Sequence, residues 1–187
     1  MMRYLQSPLD ESTVRSLKAG DIVYVSGQVI TARDEAHIRA LEYLDDGKDV
    51  PECLYGCTLY HCGPIILERD DGYELIAAGP TTSARMNSLE PRFIKEFGVR
   101  AIIGKGGMSS EVVETMKECG CVYFAATGGA AVTLAEGLSK VDGVEWKDLG
   151  MAESIWRFDS NRLGPLVVAM DSNGDSLYEN VRSSLRR

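Results

Sequence analysis

The chain has 187 residues, 44% of them hydrophobic and 26% charged, which suits a single globular domain of ordinary size. Its formal net charge of −8 excludes the basic footprint that non-specific nucleic-acid binding needs, and it disfavours an anionic membrane surface. A small anionic ligand stays open, because local charge can oppose the global sign.

No apolar run approaches the ~20 residues of a membrane-spanning helix. The first twenty residues, MMRYLQSPLDESTVRSLKAG, lack the apolar centre of a signal peptide. A cytoplasmic location is therefore expected, with reduced thiols at Cys53, Cys57, Cys62, Cys119 and Cys121. The first three are spaced C-x3-C-x4-C without a tight C-x2-C pair, so free thiols are expected ahead of a metal site.

Residues 21–26 (DIVYVS) are apolar and β-branched and predict a strand. Thr31 can cap a following helix, with Asp34 in its first turn and Ala36, Ala40, Leu41 and Leu44 on one apolar face. Gly47 ends it. Residues 58–60 and 64–67 are extended. The Asp70-Asp71-Gly72 turn signal joins the second of these to a strand over 73–78, giving a hairpin. Residues 81–83 open a helix over 84–97, which Pro91 divides or kinks. Residues 99–103 form a short buried strand ending at Gly104-Lys105-Gly106-Gly107. Ser109 or Ser110 then caps a helix carrying Val112, Val113 and Met116. Residues 121–125 form a further strand. Gly128-Gly129 precedes a helix with Ala130, Ala131, Leu134, Ala135 and Leu138 on one side, and 166–170 is a late strand closed by Asn173-Gly174.

Strands and helices alternating through glycine-rich turns predict one compact α/β domain over 1–187, with 1–19 as an N-terminal extension and 175–187 as a frayed tail. Turns of this kind bring backbone N–H groups to helix N-termini, where anions bind. Three of them carry functional side chains. Gly79-Pro80-Thr81-Thr82-Ser83-Ala84-Arg85-Met86 offers three hydroxyls and a guanidinium suited to a carboxylate. Ile103-Gly104-Lys105-Gly106-Gly107-Met108 sets a lysine between glycines, without the spacing of a phosphate-binding Walker loop. Thr31-Ala32-Arg33-Asp34-Glu35-Ala36-His37 places Arg33 at a helix start, against the dipole, where Asp34 can orient it. His37 is either a satisfied structural histidine or a site residue. Each motif taken alone has an ordinary structural reading: a helix cap, a solvated lysine, a close helix–sheet contact at Gly128-Gly129.

Together and in this order, SGQVITARDEAH, Leu59-Tyr60-His61-Cys62-Gly63-Pro64, AAGPTTSARM, IIGKGGM, ATGGAAV, Leu149-Gly150-Met151 and Trp156 resemble one family. They are similar to the β-subunit, or C-terminal domain, of the class I iron–sulfur fumarases and L(+)-tartrate dehydratases, from about residue 20 to residue 174. The resemblance implies a swivelling β/β/α domain. It implies a partner α-subunit that holds a [4Fe–4S] cluster with its own cysteines, no metal ligand in this chain, and a hetero-oligomer, α2β2 by analogy. It implies that Arg33, Arg85 and Lys105 bind the carboxylates and hydroxyl of a C4 dicarboxylate, and that Thr81 and Thr82 sit at the reacting carbon, one as proton carrier. His37 matches the family's RD-x-A-H histidine and takes no catalytic role. Fumarate/malate is the first expected substrate and tartrate the next. Glu35, the Tyr60–Pro64 stretch and Gly150-Met151-Ala152-Glu153 depart from the family's common residues without removing a charged anchor. The other reading is a stand-alone dicarboxylate-binding module without catalysis.

Overall fold

In the computed structural model, residues 1–70, 72–126 and 131–185 are described. The elements run β1 (Met2–Ser7), α1 (Glu11–Ser16), β2 (Ile22–Thr31), α2 (Asp34–Asp45), β3 (Thr58–Tyr60), β4 (Ile65–Arg69), β5 (Gly72–Ala77), α3 (Glu90–Phe97), β6 (Ala101–Gly104), α4 (Ser110–Cys119), β7 (Val122–Ala125), α5 (Ala131–Glu136), β8 (Leu138–Glu145), β9 (Ile155–Met170) and α6 (Leu177–Leu185). The α/β class expected from the sequence is the class observed. No helix among the described residues is long and apolar enough to cross a membrane.

The main sheet has the order β1-β2-β3-β6-β7-β9-β8, and β2 also pairs with β9. β2, β3, β6 and β7 run parallel, whereas the long β9 is antiparallel to both β2 and β7. These pairings close five strands into a ring. Strand side chains alternate across the sheet. Ala101 and Ile103 of β6, with Val122 and Phe124 of β7, join one core cluster, and Ile102 and Tyr123 join the other. Both faces are therefore covered, which explains the continuous apolar runs of these short parallel strands. The helices α2, α3 and α4 cover one face through Ala36, Ala40, Phe93, Ile94, Val112 and Met116. Ile66 of β4, Ala78, Leu134 of α5 and Val14 of α1 cover the other, so hairpin, sheet and helices form three layers. Each fully buried aromatic, such as Phe93, Phe124 or Phe158, contributes ~2–3 kcal/mol of burial.

Several local expectations shift. Thr31 does not cap α2. It is the last residue of β2, and its hydroxyl accepts the Trp156 backbone N–H at 3.1 Å. Arg33 occupies the cap position instead, with no side-chain cap bond. The helix expected over 84–97 is divided, one of the two outcomes expected of Pro91, into a short 3-10 turn, Ser83–Met86, and α3, with Pro91 in the first turn of α3. Proline is accommodated there because the first helical N–H groups have no intrahelical partner. Ser109 caps α4, accepting from Val112 N–H. The hairpin is present as β4–β5, although Asp71 of its turn lies outside the described residues, as does the Gly128-Gly129 pair. Leu138 begins β8 instead of extending α5.

Residues 1–19, read as an extension, contain a strand and a helix. β1 pairs in parallel with β2, and Leu5, Leu9, Val14 and Leu17 are buried. β9 starts eleven positions before the strand expected at 166, and the tail holds α6, none of whose residues is buried.

Candidate functional site

The parallel strands β2, β3 and β6 end side by side, and the chain continues from their carboxyl ends into Arg33, His61 and Lys105. Such ends are where open parallel sheets place ligand sites. The segment after the β4–β5 hairpin returns across them. Thr81 N–H donates to the His61 carbonyl at 2.7 Å, Lys105 N–H faces the Thr81 carbonyl at 3.4 Å, and Ser83 N–H donates to the Lys105 carbonyl at 3.1 Å. Thr82 bridges Lys105 in parallel register. Backbone pairing thus fixes Thr81, Thr82 and Lys105 to one another independently of their side chains.

The cations converge through Asp34. Its Oδ1 accepts from Arg85 Nε at 3.1 Å, and its Oδ2 lies 4.0 Å from Arg33 Nε. Glu153 approaches Arg33 from the loop before β9, 3.3 Å from Nε, and also accepts the Glu35 backbone N–H at 3.1 Å. Lys105 has no ion-pair partner among the described residues. Two arginines therefore meet two carboxylates, and Lys105 adds a cation without an ion-pair partner beside them. Arg85 and Thr82 are exposed, and Arg33, Thr81 and Lys105 are partly buried. All five residues expected at the site are brought to one surface. A concavity of about 560 Å³ lies elsewhere, beside Pro51, Cys53, Tyr55 and Arg157.

In the Thr81–Ser83 turn the Thr81 and Ser83 N–H groups are spent on carbonyls and are not open to an anion. Ser83 also leaves the trio of available hydroxyls. It is fully buried, 2.9 Å from His61 Nδ1, and accepts from Tyr123 OH at 2.9 Å. Gly104 permits this: a Cβ there would overlap Ser83 Oγ and lie 2.9 Å from the Tyr123 hydroxyl.

Beneath the cations sits a cluster that sequence reasoning did not assemble. His37, His61 and Glu90 are all completely buried. His37 Nδ1 lies 2.7 Å from the Arg33 carbonyl and stacks its ring on Phe93 at 4.3 Å. Glu90 Oε2 lies 3.4 Å from His37 Nε2 and 3.1 Å from His61 Nε2. Burial opposes the charge on Glu90, but His61 and His37 outweigh it and hold the carboxyl down at about 2. Burial also opposes the charge on His37, yet Glu90 raises it overall, whereas burial wins at His61 and lowers it. The cluster thus contains an ionised carboxylate. His37 could be read from the sequence as either a structural histidine or a site residue. Glu90, an acidic residue at a helix start, carried no signal beyond its dipole role.

All five cysteines are free, and burial pushes up the thiols of Cys57 and Cys121 and takes Cys62 up to about 12. Among the described residues, the group of metal-ligating side chains that converges is His37, His61 and Glu90, with no cysteine in it.

With this geometry in place, the comparisons define the class. The family model of the fumarase C-terminus matches residues 3–181, and the chain belongs to that family. A Methanocaldococcus jannaschii protein provisionally named L(+)-tartrate dehydratase subunit beta is 45% identical over 185 residues, covering 98% of this chain and 95% of that protein. The L(+)-tartrate dehydratase subunit beta of Escherichia coli K12 is 34% identical, covering 95% of this chain and 87% of its own length. A Geobacillus stearothermophilus protein provisionally named fumarate hydratase class I is 41% identical over 96% of this chain, which spans only 34% of that longer relative.

Proposed function

We propose that this chain is the β-subunit of a two-subunit hydro-lyase that reversibly hydrates or dehydrates a C4 dicarboxylate, fumarate/malate first and tartrate next. The observation that carries the reading is the placement of Arg33, Arg85 and Lys105 on adjacent loops, with Asp34 hydrogen-bonded to Arg85 and 4.0 Å from Arg33 Nε. A dianion needs several cations at fixed spacing. Guanidinium groups grip a carboxylate with two parallel hydrogen bonds, and a lysine adds a point charge for a hydroxyl or a second carboxylate oxygen. Thr81 and Thr82 stand beside Lys105 and supply the hydroxyl that carries a proton at the reacting carbon. A threonine hydroxyl is a weak base on its own and needs an activating neighbour, which the exposed face leaves to the partner. On this reading a [4Fe–4S] group would be held by an α-subunit, the partner that the relatives' names as subunit beta imply. A reducing, cytoplasmic compartment suits five free thiols.

Gly63 provides a test of the arginine geometry that leaves every charge in place. A Cβ at this position would lie 2.7 Å from Arg33 Nη1 and 2.9 Å from the Ala152 carbonyl oxygen. The backbone carbonyl cannot yield cheaply, so the guanidinium is displaced. Gly63→Ala should raise KM for the dicarboxylate by about tenfold or more, since a misplacement of ~1 Å at a positioning group can cost up to 10²-fold. Steady-state kinetics of the assembled enzyme, beside a thermal melt showing an intact fold, checks this. An unchanged KM removes Arg33 from the substrate site.

The reading as a whole is tested by anaerobic co-expression with the cluster-bearing partner, followed by assays of fumarate hydration and tartrate dehydration. Activity in the complex and none in either chain alone supports it and identifies the substrate. A chain that forms no complex yet binds dicarboxylates is a stand-alone binding module instead.

A further inference from the structure

We propose that His37, His61 and Glu90 form a buried structural site for a divalent transition-metal ion of the zinc type. The site is separate from any group the partner holds and does not depend on the hydro-lyase reading. The three residues come from separate segments: the first turn of α2, the residue after β3, and the first residue of α3. Their ligating atoms all lie within 4.8 Å of one another, and all three side chains are fully buried.

What points to a cation is the state of the polar atoms. His37 Nε2, His61 Nε2 and both oxygens of Glu90 are buried, and none makes a hydrogen bond of acceptable geometry, although they face one another. Such groups are costly to bury unpaired. The outward nitrogens, by contrast, are held: His37 Nδ1 by the Arg33 carbonyl and His61 Nδ1 by Ser83 Oγ. A carbonyl only accepts, so His37 carries a proton on Nδ1. The Nε2 atoms of both rings and the Glu90 carboxylate then face one another without a hydrogen bond, and a cation placed among them would give all of them a partner. A second-shell bond to Nδ1, fixing Nε2 as the donor atom, is the habitual arrangement around metal-bound imidazoles.

The spacing fits. Two ligands at ~2.0–2.1 Å from a tetrahedral zinc stand ~3.3–3.4 Å apart, and the two Nε2–Oε2 separations are 3.4 and 3.1 Å. Two neutral imidazoles and a bidentate Glu90 supply four donor atoms, which closes the site and gives it a structural role. An ion here ties the Arg33 carbonyl to Ser83, and so braces the loops that carry Arg33, Thr81 and Thr82 against each other.

The test is metal analysis of the full chain, purified without a polyhistidine tag and dialysed against a chelator. About one equivalent of zinc per chain is expected to remain, as for a structural site, and to be lost in Glu90→Gln together with a fall in Tm. Refolding in cobalt should give visible ligand-field bands. Should Glu90→Gln fail to fold, His61→Cys decides, because it keeps a ligand and adds a cobalt–thiolate charge-transfer band. A folded wild-type chain that retains no metal and shows no cobalt bands after refolding overturns the proposal, and leaves a protonated histidine as the counter-charge of Glu90.

Discussion

If the chain is the proposed hydro-lyase subunit, Arg85→Ala should lower kcat/KM of the assembled enzyme by about 10³-fold, on the order of 4 kcal/mol of lost transition-state binding. The side chain is 52% exposed in the isolated chain and is oriented by a single hydrogen bond from Nε to Asp34. That bond leaves the far edge of the guanidinium available to a carboxylate. An exposed ion pair of this kind contributes less than ~1 kcal/mol to folding, so Tm should hardly move while activity collapses. Arg85→Lys should recover only a small part of the loss. It restores a charge but not the planar pair of donors, nor the Nε contact that aims them. Steady-state kinetics on both variants, with melts as controls, measures this. If Arg85→Ala keeps kcat/KM within a few-fold of wild type, the guanidinium does not hold the substrate.

The second large effect falls on the hydroxyls. Thr81 and Thr82 are fixed by backbone bonds to His61 and Lys105, so removing either hydroxyl leaves the loop pairing intact. Of Thr81→Ala and Thr82→Ala, the one that removes the proton carrier should reduce kcat by roughly 10²–10⁴-fold, the usual contribution of a positioned acid or base. KM should stay close to wild type, because the cations that bind the dicarboxylate are untouched. The serine variant at that position should retain most of the rate, and the other alanine variant should cost little. Single-turnover kinetics on both alanine variants distinguishes them. Full kcat in both would exclude either hydroxyl from the proton transfer.

The two readings of the chain, from residues and from coordinates, agree where a local signal has one physical cause. The short apolar runs at 99–103 and 121–125 appear as β6 and β7 because such runs, bounded by glycine or a helix cap, suit a strand covered on both faces. Ser109 caps α4 because its hydroxyl is the acceptor that an unpaired helix N–H requires. Thr31 carried the same signal at the start of α2, but β2 extends through it and Trp156 takes its oxygen. A long-range partner decided that position, and no local pattern contains it. Pro91 could be a kink or a first-turn residue, and the packing of Phe93 and Phe97 against the sheet chose the latter.

The candidate site divides in the same way. Arg33, Arg85 and Lys105 are legible one at a time as cations beside glycine-rich turns. That they share a surface follows from strand order, which places β2, β3 and β6 as neighbours. Ser83 looks equivalent to Thr81 and Thr82 in sequence, yet it turns inward because Gly104 leaves room for its oxygen. The His37–Glu90–His61 cluster joins residues up to 53 positions apart, from three elements, and only the fold makes it one object. Its buried charge gives the loops beneath the cations their internal scaffold.

The account rests on this chain supplying the carboxylate anchors. Succinate, a dicarboxylate that cannot be hydrated or dehydrated, probes that directly by calorimetric titration under anaerobic conditions. The partner alone and the assembled complex are compared. Binding in the complex should be at least ~100-fold tighter than to the partner alone, about 2.8 kcal/mol or more, as expected when paired cations are added to a dianion site. Equal affinity for the partner alone and for the complex would contradict the account, since the substrate's carboxylates would then be held without Arg33, Arg85 and Lys105.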